Sequence, residues 1–126
     1  MKVLILESDK ILARNLSLLL ERAGHTVCCN VDAQAAIISA DKEKPDAIIM
    51  DLLLAGRSGA EFLYEFRSYP EWHGIPVYIL SSVLPSEAGV DSGCFNKLNV
   101  KRFFYKPTTA LGDILSSLES ATVAAI

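Results

Sequence analysis

The chain has 126 residues, of which 51% are hydrophobic and 21% charged, with a formal net charge of −3. This is room for one domain with a real core, and the balance excludes a disordered chain and a large nucleic-acid footprint. The apolar runs are short, so no segment is long enough to span a bilayer, and the N-terminus has neither the body nor the cleavage site of a signal peptide. Three cysteines (Cys28, Cys29 and Cys94) and two histidines (His25 and His73) include no C-x-x-C spacing, which argues against zinc and for buried thiols in a reducing cytoplasm.

In chain order, Val3 to Leu6 (VLIL) is a continuous apolar run that stops at Glu7, Ser8 and Asp9. Unbroken apolarity over a strand length predicts a strand buried on both faces of a parallel sheet. Leucines and Ile11 at helical spacing follow, with Ser8 or Asp9 as N-cap and Gly24 as the C-terminal stop. His25 to Asn30 reads as a second strand. Asp32 caps a second helix that Pro45 forbids from continuing. Ala47 to Met50 (AIIM) is a third buried strand and ends on Asp51; a loop rich in small residues, Leu54 to Gly59, leads to a helix over Ala60 to Ser68.

Pro76 to Leu80 is a fourth strand ending at Ser81 and Ser82. Pro85 to Leu98 should hold a short, irregular helix weakened by Gly89 and Gly93. Val100 to Tyr105 is a fifth strand closed by Lys106 and Pro107. Thr108 or Thr109 then caps a last helix, and residues 122–126 read as a tail or the start of a linker after a domain over 1–121. Strands alternating with helices imply an α/β fold: a doubly wound five-stranded parallel sheet with right-handed crossovers. In such a sheet the functional groups gather beyond the carboxyl ends of the strands. Those ends carry Glu7 and Ser8, Asp51, Ser81 and Lys106.

Each of these residues alone has a dull explanation as a helix cap or a solvated side chain. Together, two carboxylates, a hydroxyl and an ammonium in one crevice point to Mg²⁺ and phosphoryl chemistry. Paired carboxylates need a cation, and a lysine and hydroxyl suit phosphoryl oxygens. The reaction implied is transfer of a phosphoryl group to a carboxylate.

The strings VLILESD (3–9), PDAIIMDLLLAGRSG (45–59), PVYILSS (76–82) and FFYKP (103–107), in this order and spacing, resemble the receiver domains of two-component response regulators over nearly the whole chain. The resemblance implies a flavodoxin-like fold with strand order 2-1-3-4-5. It also implies that Asp51 is the phosphoacceptor, served by a histidine kinase or phosphotransfer protein. Glu7, Asp51 and the Leu53 backbone carbonyl would hold Mg²⁺, with Ser8 contributing weakly or through a water. Ser81, Ser82 and Lys106 would meet the phosphoryl group, Phe103 would be the aromatic that turns inward on activation, and the Lys106–Pro107 bond would be cis. The expected role is a cytoplasmic signalling domain rather than an enzyme, with at most slow autodephosphorylation. Its output would run through the face of the fourth helix, fifth strand and fifth helix to a downstream protein, an output domain or a second copy, with no direct contact to nucleic acid or membrane.

Two departures stand out. Ser8 occupies the position where the resemblance expects a second metal-ligating acid, which weakens the Mg²⁺ site; Ala55 stands where the loop usually has proline. A pseudo-receiver that binds a partner without phosphorylation is therefore the alternative. No phosphate-binding G-x-G-x-x-G or Walker loop and no G-x-S-x-G elbow is present, and Leu53 replaces the second aspartate of a dehalogenase-type phosphatase. Phe62, Phe66, Tyr69 and Trp72 read as core and surface patch rather than a cofactor box.

Overall fold

The structure, a computed structural model, describes residues 1–54, 57–87 and 92–124. Ala55, Gly89 and the Cys94 side chain lie outside what it describes. Strands β1 (Lys2–Leu6), β2 (Thr26–Asn30), β3 (Ala47–Met50), β6 (Val77–Ser81) and β7 (Val100–Tyr105) form one parallel sheet in the order β2-β1-β3-β6-β7. Counting only these five, the order is the expected 2-1-3-4-5. Between β3 and β6 lie a small antiparallel pair, β4 (Leu53–Leu54) and β5 (Arg57–Ser58), helix α3 (Gly59–Arg67) and a 3-10 turn (Pro70–Trp72). The remaining helices are α1 (Lys10–Arg22), α2 (Ala33–Lys42), α4 (Ser92–Lys97) and α5 (Leu111–Ala124), and a second 3-10 turn spans Lys106–Thr108.

Residues alternate between the sheet's faces. Leu4, Leu6, Ile48, Met50, Val77 and Ile79 join Phe62, Leu63 and Phe66 of α3 and Ala36 and Ala40 of α2 in one core layer. Val3, Ile5, Ile49, Tyr78 and Leu80 meet Leu16 and Leu20 of α1 and Ile114 and Leu118 of α5 in the other. β3 and β6 are buried along their whole length and β1 is buried from Val3 onward, which is why their sequences are unbroken apolar runs.

β2 is an edge strand, and only Asn30 in it is buried. This corrects one expectation: Cys28 and Cys29 are exposed free thiols, because an edge strand is covered incompletely. The Cys29 thiol lies 2.6 Å from the Ser17 hydroxyl.

Local signals explain most helix ends. Asp9 caps α1, accepting from the amides of Ile11 (3.0 Å) and Leu12 (3.1 Å). Gly24 follows α1 at φ 95°, a left-handed conformation that glycine adopts without penalty. Asp32 and Ser58 cap α2 and α3. The last helix differs from expectation. Neither Thr108 nor Thr109 caps it. Both hydroxyls donate to the Tyr105 carbonyl, and Asp113 reaches back to accept from the Ala110 amide at 3.1 Å. Helix α5 runs through Ala124.

Candidate functional site

The sheet register builds the site. Leu6 pairs with Met50, and Met50 with Ile79, so Glu7 and Asp51 both emerge one residue past level, paired positions. Ser81 pairs with Tyr105, which places Lys106 one residue beyond on the adjacent strand. Four strand ends therefore deliver their polar residues to one edge of the sheet.

There the Lys106 ammonium bridges both carboxylates, with Nζ 2.8 Å from Glu7 Oε1 and 2.8 Å from Asp51 Oδ2. Each acid keeps its second oxygen on a backbone amide. Glu7 Oε2 accepts from Asp9 at 3.1 Å, and Asp51 Oδ1 from Leu53 at 3.1 Å. Both acid side chains are about 5% exposed, and Lys106 about 21%. Burial raises the Glu7 carboxyl above the usual carboxylate range, and the Lys106 hydrogen bond and Asp9 amide offset only part of that rise. Burial pulls the Lys106 ammonium down, but its hydrogen bonds to Asp51 and Glu7 more than compensate and hold it above the ordinary lysine value.

A lysine raised in the folded state stabilises fully below its unfolded pKa, and that stability is lost as pH rises through the folded value. Wild type is therefore expected to exceed Lys106→Met in urea midpoint at neutral pH, with the gap unchanged up to about pH 10 and closing only across roughly pH 10 to 12. A gap that stays constant to the top of that range would show that the ammonium's charge does not stabilise the folded site.

The Lys106–Pro107 bond is trans, with no cis bond among the described residues, which corrects the cis expectation. Trans is the favoured form of an X-Pro bond, and Pro107 enters the first turn of the 3-10 segment, where its fixed φ fits and its missing amide costs nothing. Lys106 reaches both acids from that trans geometry. Ser81 is fully buried at the end of β6, and its hydroxyl accepts from the Val83 amide at 3.1 Å; Ser82 is exposed. Phe103 is half-buried and stacks on Phe95 of α4, with ring centroids 6.1 Å apart. Phe104 is buried beneath the Arg102 guanidinium, and Tyr105 is half-buried.

Ser8 is exposed, and Asp9 is spent on the α1 cap, so neither adds a carboxylate to the crevice. Among the described residues no group of three acidic, histidine or cysteine side chains surrounds a metal position. Two carboxylates suffice for Mg²⁺ when waters complete its shell, and each oxygen here has a further lone pair to offer. The donor set therefore fits Mg²⁺, as a sparse site in competition with the Lys106 ammonium. Leu53, whose carbonyl the resemblance assigns to the ion, is 48% exposed beside it.

Two residues without chemistry of their own are not marked by the sequence: Gly59 at this edge, and Arg67 where the connectors enter β6 and β7. A Cβ on Gly59 would strike the Asp51 carbonyl oxygen and come within 2.7 Å of Leu52 Cα, so α3 can start this close to the Asp51 backbone only with glycine. The Ser58-Gly59 pair in a small-residue loop was the available signal. Arg67, at the far end of α3, is buried and donates to five backbone carbonyls, those of Trp72, His73, Ile75, Leu98 and Asn99. Nothing in its local sequence distinguishes it from an exposed basic residue closing a helix.

Residues 3–117 match the family model of the response regulator receiver domain. Among curated proteins, the chain is 31% identical over 80 residues to "Probable transcriptional regulatory protein TcrX" of Mycobacterium tuberculosis; the match takes in 64% of this chain and 33% of that protein. The chain thus spans about a third of that relative's length. Among solved structures it resembles a sensor protein from Polaromonas sp. JS666 (TM-score 0.83, 23% identity, 95% of this chain and 94% of that one). It also resembles the Vibrio cholerae chemotaxis protein CheY4 (TM-score 0.82, 23% identity, 94% and 96%). At these identities the structures bear on the fold, while the family match covers the strand ends that carry Glu7, Asp51, Ser81 and Lys106. The chain belongs to the response regulator receiver domains.

Proposed function

We propose that this domain is a phosphoacceptor switch in which Asp51 receives a phosphoryl group from a histidine kinase or phosphotransfer protein. The observation that carries the reading is the Lys106 ammonium held 2.8 Å from both Asp51 and Glu7 at the carboxyl edge of the sheet. An Asp51 oxygen attacks phosphorus, the P–N bond of the donor phosphohistidine breaks, and the ring nitrogen leaves with the electron pair. Lys106 is placed to follow the charge, leaving the Asp51 carboxylate for a phosphoryl oxygen. Glu7, Asp51 and the Leu53 carbonyl would hold Mg²⁺, with Ser8 adding at most a water. When bound, that ion neutralises charge on the transferring group. Ile11, 75% exposed just past Glu7, gives the donor an apolar foothold beside the crevice.

Output follows from a two-state bias. The buried Ser81 hydroxyl exchanges the Val83 amide for a phosphoryl oxygen. Phe103 leaves its stack on Phe95 for the vacated space and alters the face of α4, β7 and α5. That face takes a downstream protein, an output domain or a second copy. Among the described residues no helix is long and apolar enough to cross a membrane.

The missing acid at Ser8 favours a second reading, a pseudo-receiver whose partner face works without phosphorylation. Titration with Mg²⁺ and beryllofluoride, followed by amide NMR, separates the two. The switch gives saturable, Mg²⁺-dependent shifts at Asp51, Ser81 and Lys106 that Asp51→Asn abolishes. A spectrum unchanged at millimolar Mg²⁺ sinks the switch and leaves the pseudo-receiver.

A further inference from the structure

On the sheet face opposite α1 and α5, a groove of about 270 Å³ runs between α2 and the 3-10 turn after α3, lined by Ile37, Ile38, Asp41, Tyr69, Glu71 and Trp72. Its floor is aromatic. Tyr69 tilts over Trp72 with centroids 4.7 Å apart, and Trp72 stacks on Phe66 at 4.9 Å. Its walls are open: Ile38 is 47% and Tyr69 36% exposed. Ile37, Ile38 and Asp41 share one stripe of α2 by their three- and four-residue spacing.

The rim is acidic and uncompensated. Asp41 and Glu71 are exposed, and neither side chain makes an ion pair or hydrogen bond among the described residues. Asp41 also sits in the last turn of α2, at the negative end of the helix dipole, where a cation rather than a carboxylate is favoured. Its neighbour Lys42 lines a different groove, with Lys2, Cys28 and Pro45. An isoleucine and a tyrosine face water between two unpaired carboxylates, so the surface lacks a cation flanked by apolar atoms. The volume lies below the roughly 300–1,000 Å³ of small-molecule pockets, and suits one or two side chains.

We propose that this groove docks a basic, apolar segment of a partner protein. An arginine or lysine lies between Asp41 and Glu71 and over the Tyr69 ring, and an aliphatic side chain one helical turn away covers Ile38. The site is remote from Asp51 and does not depend on phosphorylation, so it stands or falls separately from the function proposed above.

Trp72 is the chain's only tryptophan, so its emission reports occupancy directly. The probe is a synthetic helical peptide of leucine and arginine, with a leucine–glutamate peptide as control. Saturable change in Trp72 emission is expected with the arginine peptide alone, with amide shifts centred on Ile38, Asp41, Tyr69 and Glu71. Asp41→Lys combined with Glu71→Lys should weaken binding roughly tenfold, the loss of two exposed ion pairs. Circular dichroism and the urea midpoint verify that the double variant is folded. Equal binding of the glutamate peptide, unchanged affinity in the double variant, shifts centred on Glu7 and Asp51, or no emission change at millimolar arginine peptide would each overturn the proposal.

Discussion

Ser8→Asp is expected to tighten Mg²⁺ binding by about tenfold or more, since even loss of an outer-shell partner commonly costs about 10–100-fold in metal affinity. In the wild type, Glu7 and Asp51 bring two negative charges and Lys106 one positive, both acids reaching Nζ at 2.8 Å. A third carboxylate beside Glu7 supplies another hard oxygen and restores the charge that a divalent ion needs. It also has a cost: without metal, three acids share one ammonium, so the variant should be less stable than wild type in chelator. Added Mg²⁺ should then raise its melting temperature more than that of the wild type, because a ligand that binds the folded state stabilises it according to its affinity. Isothermal titration and thermal melts with and without Mg²⁺ read both effects. Equal affinity in the two proteins would show that position 8 does not face the ion and that this account of the acidic edge is wrong.

Arg67→Met is expected to cost about 3 kcal/mol or more, since buried acceptors left unpaired cost about 1–3 kcal/mol each and water can reach only some of them. Nε donates to Leu98 at 2.7 Å; Nη1 donates to Trp72 at 2.7 Å and His73 at 3.1 Å; Nη2 donates to Ile75 and, at 3.3 Å, to Asn99. These carbonyls belong to the two connectors that lead into β6 and β7, the strands that end in Ser81 and Lys106. The bare guanidinium is costly to bury, and burial lowers its pKa, yet no other side chain offers five donors in a fixed fork. Its Cζ also lies 5.7 Å from the centre of the Phe66 ring. Arg67→Lys, with three donors on a single nitrogen, should recover only part of the loss. Urea denaturation of the three proteins tests this. A loss below about 1 kcal/mol in Arg67→Met would mean that the connectors satisfy their carbonyls without it.

The strands and the crevice were legible for one reason: a strand buried on both faces writes an unbroken apolar run, and the polar residue that ends it marks the functional edge of a parallel sheet. Glu7, Asp51, Ser81 and Lys106 were found by that rule. The Asp9 cap was legible as one of two choices, because capping is a local hydrogen bond. The α5 cap was not, since the Thr109 hydroxyl prefers the Tyr105 carbonyl, and that preference depends on how the Lys106 turn is placed. The exposure of Cys28 and Cys29 follows from strand order, which the five residues of β2 do not encode.

By itself, then, the amino-acid sequence determined the period of the elements, the carboxyl ends of most strands, the set of charges there and the absence of a carboxylate at Ser8, because these are properties of neighbours along the chain. Only the tertiary structure decided that one ammonium spans two acids, that Gly59 must lie bare against the Asp51 backbone and that Arg67 is buried. Each of these depends on groups brought together from distant segments, where burial and the need to pair every polar atom, not local preference, set the outcome.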